Sequence, residues 1–133
     1  MPITMQLREN GHVAHYVLTD PWETADLVRL YPQGLAYRKS VPYPVHTLMD
    51  ISAVQRVPSN ILAARRGAPA FVYPNSGEVV MVGAHGFPQK IAEMIFKLAH
   101  YERVRFFDTE IEGWNYLRQV LDQEQSIRNA AVG

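Results

Sequence analysis

Three polar residues stand at the ends of apolar runs. Asp50 follows Val45 to Met49, His85 follows Val79 to Ala84, and Asp108 follows Val104 to Phe107. If those runs are parallel strands, all three share one sheet edge, where open α/β sheets place their ligands. An Asp/His/Asp set there could hold a divalent metal or supply an acid–base pair. Each residue also has a structural duty: Asp50 closes a turn, His85 precedes a bend at Gly86, and Asp108 caps a helix beside Thr109. The structural duties are preferred, so this polar cleft remains a candidate and no metal, cofactor or catalytic residue is assigned. His46, four residues before Asp50 on the same strand face, reads as a satisfied core or edge histidine. The chain carries no Gly-x-Ser-x-Gly elbow, phosphate loop or His-Glu-x-x-His pattern. It also has no cysteine, which excludes thiol catalysis, thiolate metal sites and disulfides.

A second candidate is the turn Pro58-Ser59-Asn60-Ile61-Leu62. Ser59 offers a phosphorylatable hydroxyl where a helix would begin, and a phosphate there would add up to about two negative charges. Ser59 or Asn60 could equally act as the helix cap, since both have short polar acceptors. Leu62 is expected in the core and Ile61 partly exposed. Tyr31, Tyr37, Tyr43 and Tyr73 fall among prolines in loops. Packing of those loops on the sheet is the preferred reading; the alternative is a lid on an apolar pocket under Tyr37–Pro44. Phe87, Phe96, Phe106 and Trp114 fall on core stripes.

The elements that must position these groups follow from periodicity. Residues 3–8 alternate apolar and polar, Asn10-Gly11 suits a hairpin turn, and residues 12–18 form a second strand. Asp20, Pro21 and Glu23 read as cap, first position and capping-box partner of a helix over 20–31. Residues 35–44, with two prolines, read as a loop or short edge element. Residues 45–51 are the best candidate for a central strand, and Pro58-Ser59 opens a helix. The stretch 69–73 is either a short strand or part of a broken helix, with the second preferred. Residues 79–84 form a buried strand, 88–100 a helix and 104–107 a short strand. A Thr109/Glu112 capping box starts a helix with Ile111, Trp114, Leu117 and Leu121 on one stripe. The order β-β-α-β-α-β-α-β-α predicts an α/β fold: a mixed sheet with an N-terminal hairpin and about four helices.

Length and composition bound the rest. One domain is expected over 1–123, followed by a flexible polar tail over 124–133. Thirteen basic residues balance thirteen acidic ones, so the chain lacks the positive field that nucleic acid binding needs. Arg65-Arg66 reads as a solvated helix face. No apolar run approaches the ~20 residues of a membrane span, and the N-terminus lacks a signal core, so a cytoplasmic protein is expected.

The segment Asp50-Ile51-Ser52-Ala53-Val54 resembles the strand ending Asp-Leu-Ser-Gly-Val of STAS domains. This is the fold shared by anti-sigma factor antagonists and the cytoplasmic tails of sulphate transporters. Val79-Val80-Met81-Val82-Gly83 looks like that family's next strand, and residues 106–110 with Trp114 and Leu117 like its last strand and helix. The element order matches over about 11–121. Where the family carries Asp-Ser-Ser-Gly-Leu, this chain has Pro58-Ser59-Asn60-Ile61-Leu62. Asn60 thus replaces the phosphoacceptor hydroxyl, as in STAS-like bacterial proteins with a Pro-Ser-Asn turn.

The resemblance implies a non-enzymatic regulatory domain that binds a protein partner, such as an anti-sigma or kinase-type regulator, through Pro58, Ser59, Asn60 and Ile61. A homodimer is compatible with it. The alternative is a binder of a small hydrophobic ligand under Tyr37–Pro44, by likeness of some STAS-like proteins to the CRAL-TRIO lipid-binding fold.

Overall fold

The computed structural model describes residues 2–67, 75–98 and 100–132. The stretch 69–73, with Tyr73, lies outside the described residues, as do the side chains of Arg65 and Arg66.

β1 (Ile3–Arg8) and β2 (Val13–Thr19) form an antiparallel hairpin. Its turn takes left-handed φ angles at Glu9, Asn10 and Gly11, which Asn and Gly tolerate best. β3 (Val45–Ala53), β4 (Ser76–Val82) and β5 (Val104–Phe107) add in parallel. The order across the mixed sheet is β1-β2-β3-β4-β5, identical to the chain order. Crossovers of one hand that always step the same way place their connections on one face. That face carries α1 (Thr24–Val28), α2 (Tyr31–Ser40), a 3-10 segment (Ile61–Gly67) and α3 (Gly86–Leu98).

The sheet separates two cores. On the crossover face, Leu27, Ile61, Ala64, Ala92 and Phe96 pack on Tyr16, Leu18, Met49, Val79 and Met81. On the other face, α4 (Glu110–Val132) lays Trp114 and Leu117 on Val13, Leu48, Val80 and Val82. The two sets alternate along each strand, as a period of two requires.

Several expectations change. The first helix starts at Thr24 rather than after Asp20, and Asp26 Oδ2 accepts the Glu23 N–H at 2.8 Å. Of residues 35–44, expected as a loop or short edge element, 35–40 belong to a helix that starts at Tyr31, with Pro32 in its first turn, where a missing N–H costs nothing. α4 runs through Val132, so the segment expected as a tail from 124 is helical to that residue, and Glu124 is held by His46 at 2.5 Å. Phe87 and Ile111 are 64% and 74% exposed, off the core stripes assigned to them. No helix among the described residues is long and apolar enough to cross a membrane.

Candidate functional site

The loop between β3 and the 3-10 segment is fixed by the loop that follows β2. Asp20 Oδ2 accepts the Gln55 N–H at 2.7 Å. Trp22 Nε1–H donates to the Arg56 carbonyl at 3.2 Å. The buried Thr24 hydroxyl donates to Asn60 Oδ1 at 2.9 Å. Asp20 therefore holds this loop instead of capping a helix. The result is an exposed turn, Ser59-Asn60, in a loop anchored at residues 55, 56 and 60.

The residues of the turn split in the opposite sense to expectation. Ile61 is 7% exposed and Leu62 41%. The segment is a 3-10 helix, in which residues three apart share a face, so Ile61 and Ala64 both turn inward and Leu62 outward. Ile61 leaves the surface set Pro58, Ser59, Asn60, and Leu62 joins it. A 3-10 segment in place of the expected α-helix also gives Ser59 little helix dipole to sit against.

The same loop roofs an apolar cavity of about 80 Å³. Val54, Val57 and Ile61 face it from above, with Leu18, Met49, Ile51 and Met81 of the sheet opposite. Trp22, Leu27, Tyr31, Ile91, Ile95 and Phe96 close its sides. The cavity is not under Tyr37–Pro44. Those tyrosines pack on the hairpin turn instead: Tyr37 Oη–H donates to the Gly11 carbonyl at 2.8 Å and lies 3.1 Å from Tyr43 Oη. Tyr43 stacks on His12 at 4.0 Å. The hydrogen bond with Tyr43, followed by burial, pushes the Tyr37 hydroxyl up to about 12.

The three polar residues at the strand ends act locally. Asp50 Oδ1 accepts from the Ser52 N–H at 2.9 Å and the Ser52 hydroxyl at 2.6 Å. His85 is exposed beside Gly86, whose φ is +57°. Thr109, rather than Asp108, caps α4: its hydroxyl accepts the Glu112 N–H at 3.2 Å and donates to Glu112 Oε1 at 2.8 Å. Among the described residues no three His, Asp or Glu side chains converge on a metal position.

Two buried histidines lie under α4. His46 Nδ1 accepts the Glu78 N–H at 2.8 Å, so the proton is on Nε2, which donates to Glu124 Oε1. Both nitrogens are used, as a satisfied core histidine requires. His15 is different: its Nε2 has no hydrogen-bond partner and lies 3.9 Å from Glu110 Oε1. Glu110 instead accepts from Trp114 Nε1–H at 3.0 Å. Burial pushes the His15 pKa down, Glu110 and Asp50 oppose this, and Arg8 adds to it.

Arg38 was not legible as a site residue, and it is 4% exposed in the crossover-face core. Its Nη1 donates to the Gly34 carbonyl at 3.1 Å and its Nη2 to Thr47 Oγ1 at 2.8 Å. Its Nε has no partner. Nothing in the local sequence Tyr37-Arg38-Lys39 separates a buried cation from a solvated one.

No protein-family model, curated protein or solved structure matches this chain.

Proposed function

We propose that this chain is a non-enzymatic regulatory domain that binds a protein partner through the turn Pro58-Ser59-Asn60 and Leu62, in the manner of an anti-sigma factor antagonist. The observation that carries this reading is the set of hydrogen bonds from Asp20, Trp22 and Thr24 that orders an exposed loop in advance. A surface ordered before binding loses less conformational entropy on association, so more of its contact energy appears as affinity. Leu62 supplies an apolar contact beside the polar turn. Ser59, exposed in the same turn, carries the hydroxyl that a kinase would modify. The STAS likeness of residues 50–54 and 79–83 supports the same choice of partner, a kinase-type regulator. Cytoplasmic residence accords with it.

Asn60→Asp tests the reading. Aspartate keeps the shape and the acceptor for Thr24, so the fold is retained and a negative charge is added to the surface. A partner captured by the native protein should bind Asn60→Asp at least about tenfold more weakly, a change of ~1.4 kcal/mol. Asn115→Asp makes the same charge change on the exposed side of α4 and should leave affinity intact. Unchanged affinity in Asn60→Asp, or equal losses in both variants, would show that this turn is not the interface.

The cavity favours a second reading, a binder of a small hydrophobic ligand. Val54, Val57 and Ile61 line it, and they belong to the same loop and 3-10 segment as the proposed partner surface. A ligand inside would therefore act on the loop that meets the partner.

A further inference from the structure

Burying an ionised side chain without a counter-charge costs several kcal/mol, and proteins avoid it by pairing the charge. Arg38 is such a charge. All 13 acidic residues of the chain lie among the described residues, and none forms an ion pair with it. Neutral groups satisfy two of its nitrogens, and Nε is left open. The guanidinium is nevertheless closely fitted. A Cβ on Gly34 would stand 3.1 Å from both Arg38 Nη1 and Tyr16 Oη. Only glycine at 34 gives the cation and the phenol this space without displacement.

The surroundings of Arg38 are phenolic and hydroxylic. Tyr16 and Thr47 stand on neighbouring strands, and Arg38 favours the ionised form of both Tyr16 and Tyr101, against the stronger effect of burial. This polar row runs beside the apolar cavity. Tyr16 is two residues before Leu18, and Thr47 two before Met49; Leu18 and Met49 line the cavity from the same sheet face. A step of two residues along a strand is about 7 Å. Tyr31 joins the regions: it lines the cavity, and Tyr16 acts on its hydroxyl.

We infer that the cavity and Arg38 together form one binding site for a small amphipathic monocarboxylate, with the aliphatic chain in the cavity and the carboxylate on Arg38. The inference rests on the ligand-binding reading of the cavity and adds the head group. A guanidinium with its Nε–H unpartnered suits a carboxylate oxygen, and the charge-assisted bond would be strong in this low-dielectric setting. The size of the cavity sets the chain. At about 80 Å³ it is about half the ~150 Å³ cavity that admits benzene, so it takes only the last few carbons of an aliphatic chain whose first carbons span the roughly 7 Å to Arg38.

Hexanoate, hexan-1-ol and inorganic phosphate are the probes, titrated calorimetrically at pH 7.5. Hexanoate should bind at least about tenfold more tightly than hexan-1-ol, the lower end of what a hydrogen bond to a charged group gives. Phosphate should not compete. Arg38→Met should remove the preference for hexanoate and keep hexan-1-ol binding. Should Arg38→Met fail to fold, Ala92→Phe fills the cavity with Arg38 intact and should abolish binding of both hexyl probes. Equal affinity for hexanoate and hexan-1-ol would overturn the role of Arg38 while leaving the cavity reading in place. No binding of either would overturn both. Phosphate competing as well as hexanoate, or hexanoate binding undiminished in Ala92→Phe, would overturn the joint site.

Discussion

Replacing Gly113 by alanine sets two effects of opposite sign against each other, and the structure decides between them. Gly113 lies in the first turns of α4 and faces the sheet. A Cβ there would stand 2.7 Å from Val82 Cγ1 and 3.1 Å from Val80 Cγ1. Helix propensity favours alanine by about 1 kcal/mol at most. Overpacking a filled core costs about 1–3 kcal/mol, and Val80 and Val82 are 0% and 1% exposed, with nowhere to retreat. The clash should win, and Gly113→Ala should destabilise the protein by up to about 2 kcal/mol net of propensity. The assay is urea unfolding read by tryptophan fluorescence. A double-mutant cycle isolates the cause. Val82→Ala alone should destabilise by leaving a void, but in the Gly113→Ala background the new methyl occupies that void. The two changes should therefore couple favourably by about 1 kcal/mol. A more stable Gly113→Ala protein, or a cycle with no coupling, would refute the close approach of α4 to β4.

Ile61→Ala should cost about 2–5 kcal/mol in the same assay, whereas Leu62→Ala should stay within about 0.5 kcal/mol, because only Ile61 is buried. A larger cost for Leu62→Ala would mean that the 3-10 turn faces the other way, and equal costs that it does not favour either residue. Stability should also depend on pH through His15, and in the same direction through His12, whose pKa burial likewise lowers. Because the folded pKa lies below the unfolded value of 6.5, the unfolded chain takes up protons first as pH falls. The stabilisation is complete above about pH 6.5 and is lost as pH drops through the lowered folded values. Unfolding midpoints at pH 7.5 and 5.0 should show this, and His15→Phe should reduce the difference; an unchanged difference would exclude His15 as its source. Glu124→Ala should destabilise by about 1–3 kcal/mol by orphaning the buried Nε2–H of His46, while Glu124→Gln, which keeps an acceptor, should recover most of it. Chemical denaturation of the two variants side by side distinguishes loss of this bond from a general effect at position 124.

Much of the sheet was legible because strand signals are local. The alternation over residues 3–8 and the Asn10-Gly11 turn act within a few residues, and the Thr109/Glu112 pair marks the start of α4 in the same way. α2 was missed because a proline after one helix can equally open the next: α1 ends at Val28, Pro32 sits in the first turn of α2, and Gly34 answers to Arg38 and Tyr16 rather than to its neighbours. Ile61 and Leu62 were inverted because a 3-10 segment has a period of three, and the face it buries is set by α1 and α3. The turn 58–60 was legible as a surface feature, but its bonds from residues 20–24 were not, since they join positions more than thirty apart. The cavity draws its walls from every layer of the crossover face, and no window of sequence contains them.

The layering leaves one face of the sheet in the keeping of a single element. Val13, Leu48, Val80 and Val82 belong to strands complete by residue 82, yet among the described residues the cover over them comes chiefly from α4, which begins at Glu110. A chain emerging from synthesis would thus hold those strands without this helix over them until residues 110–132 arrive. An exposed plane of that kind invites association with other chains. Premature stops after β5 should consequently matter less for the lost residues themselves than for the sticky surface they leave open.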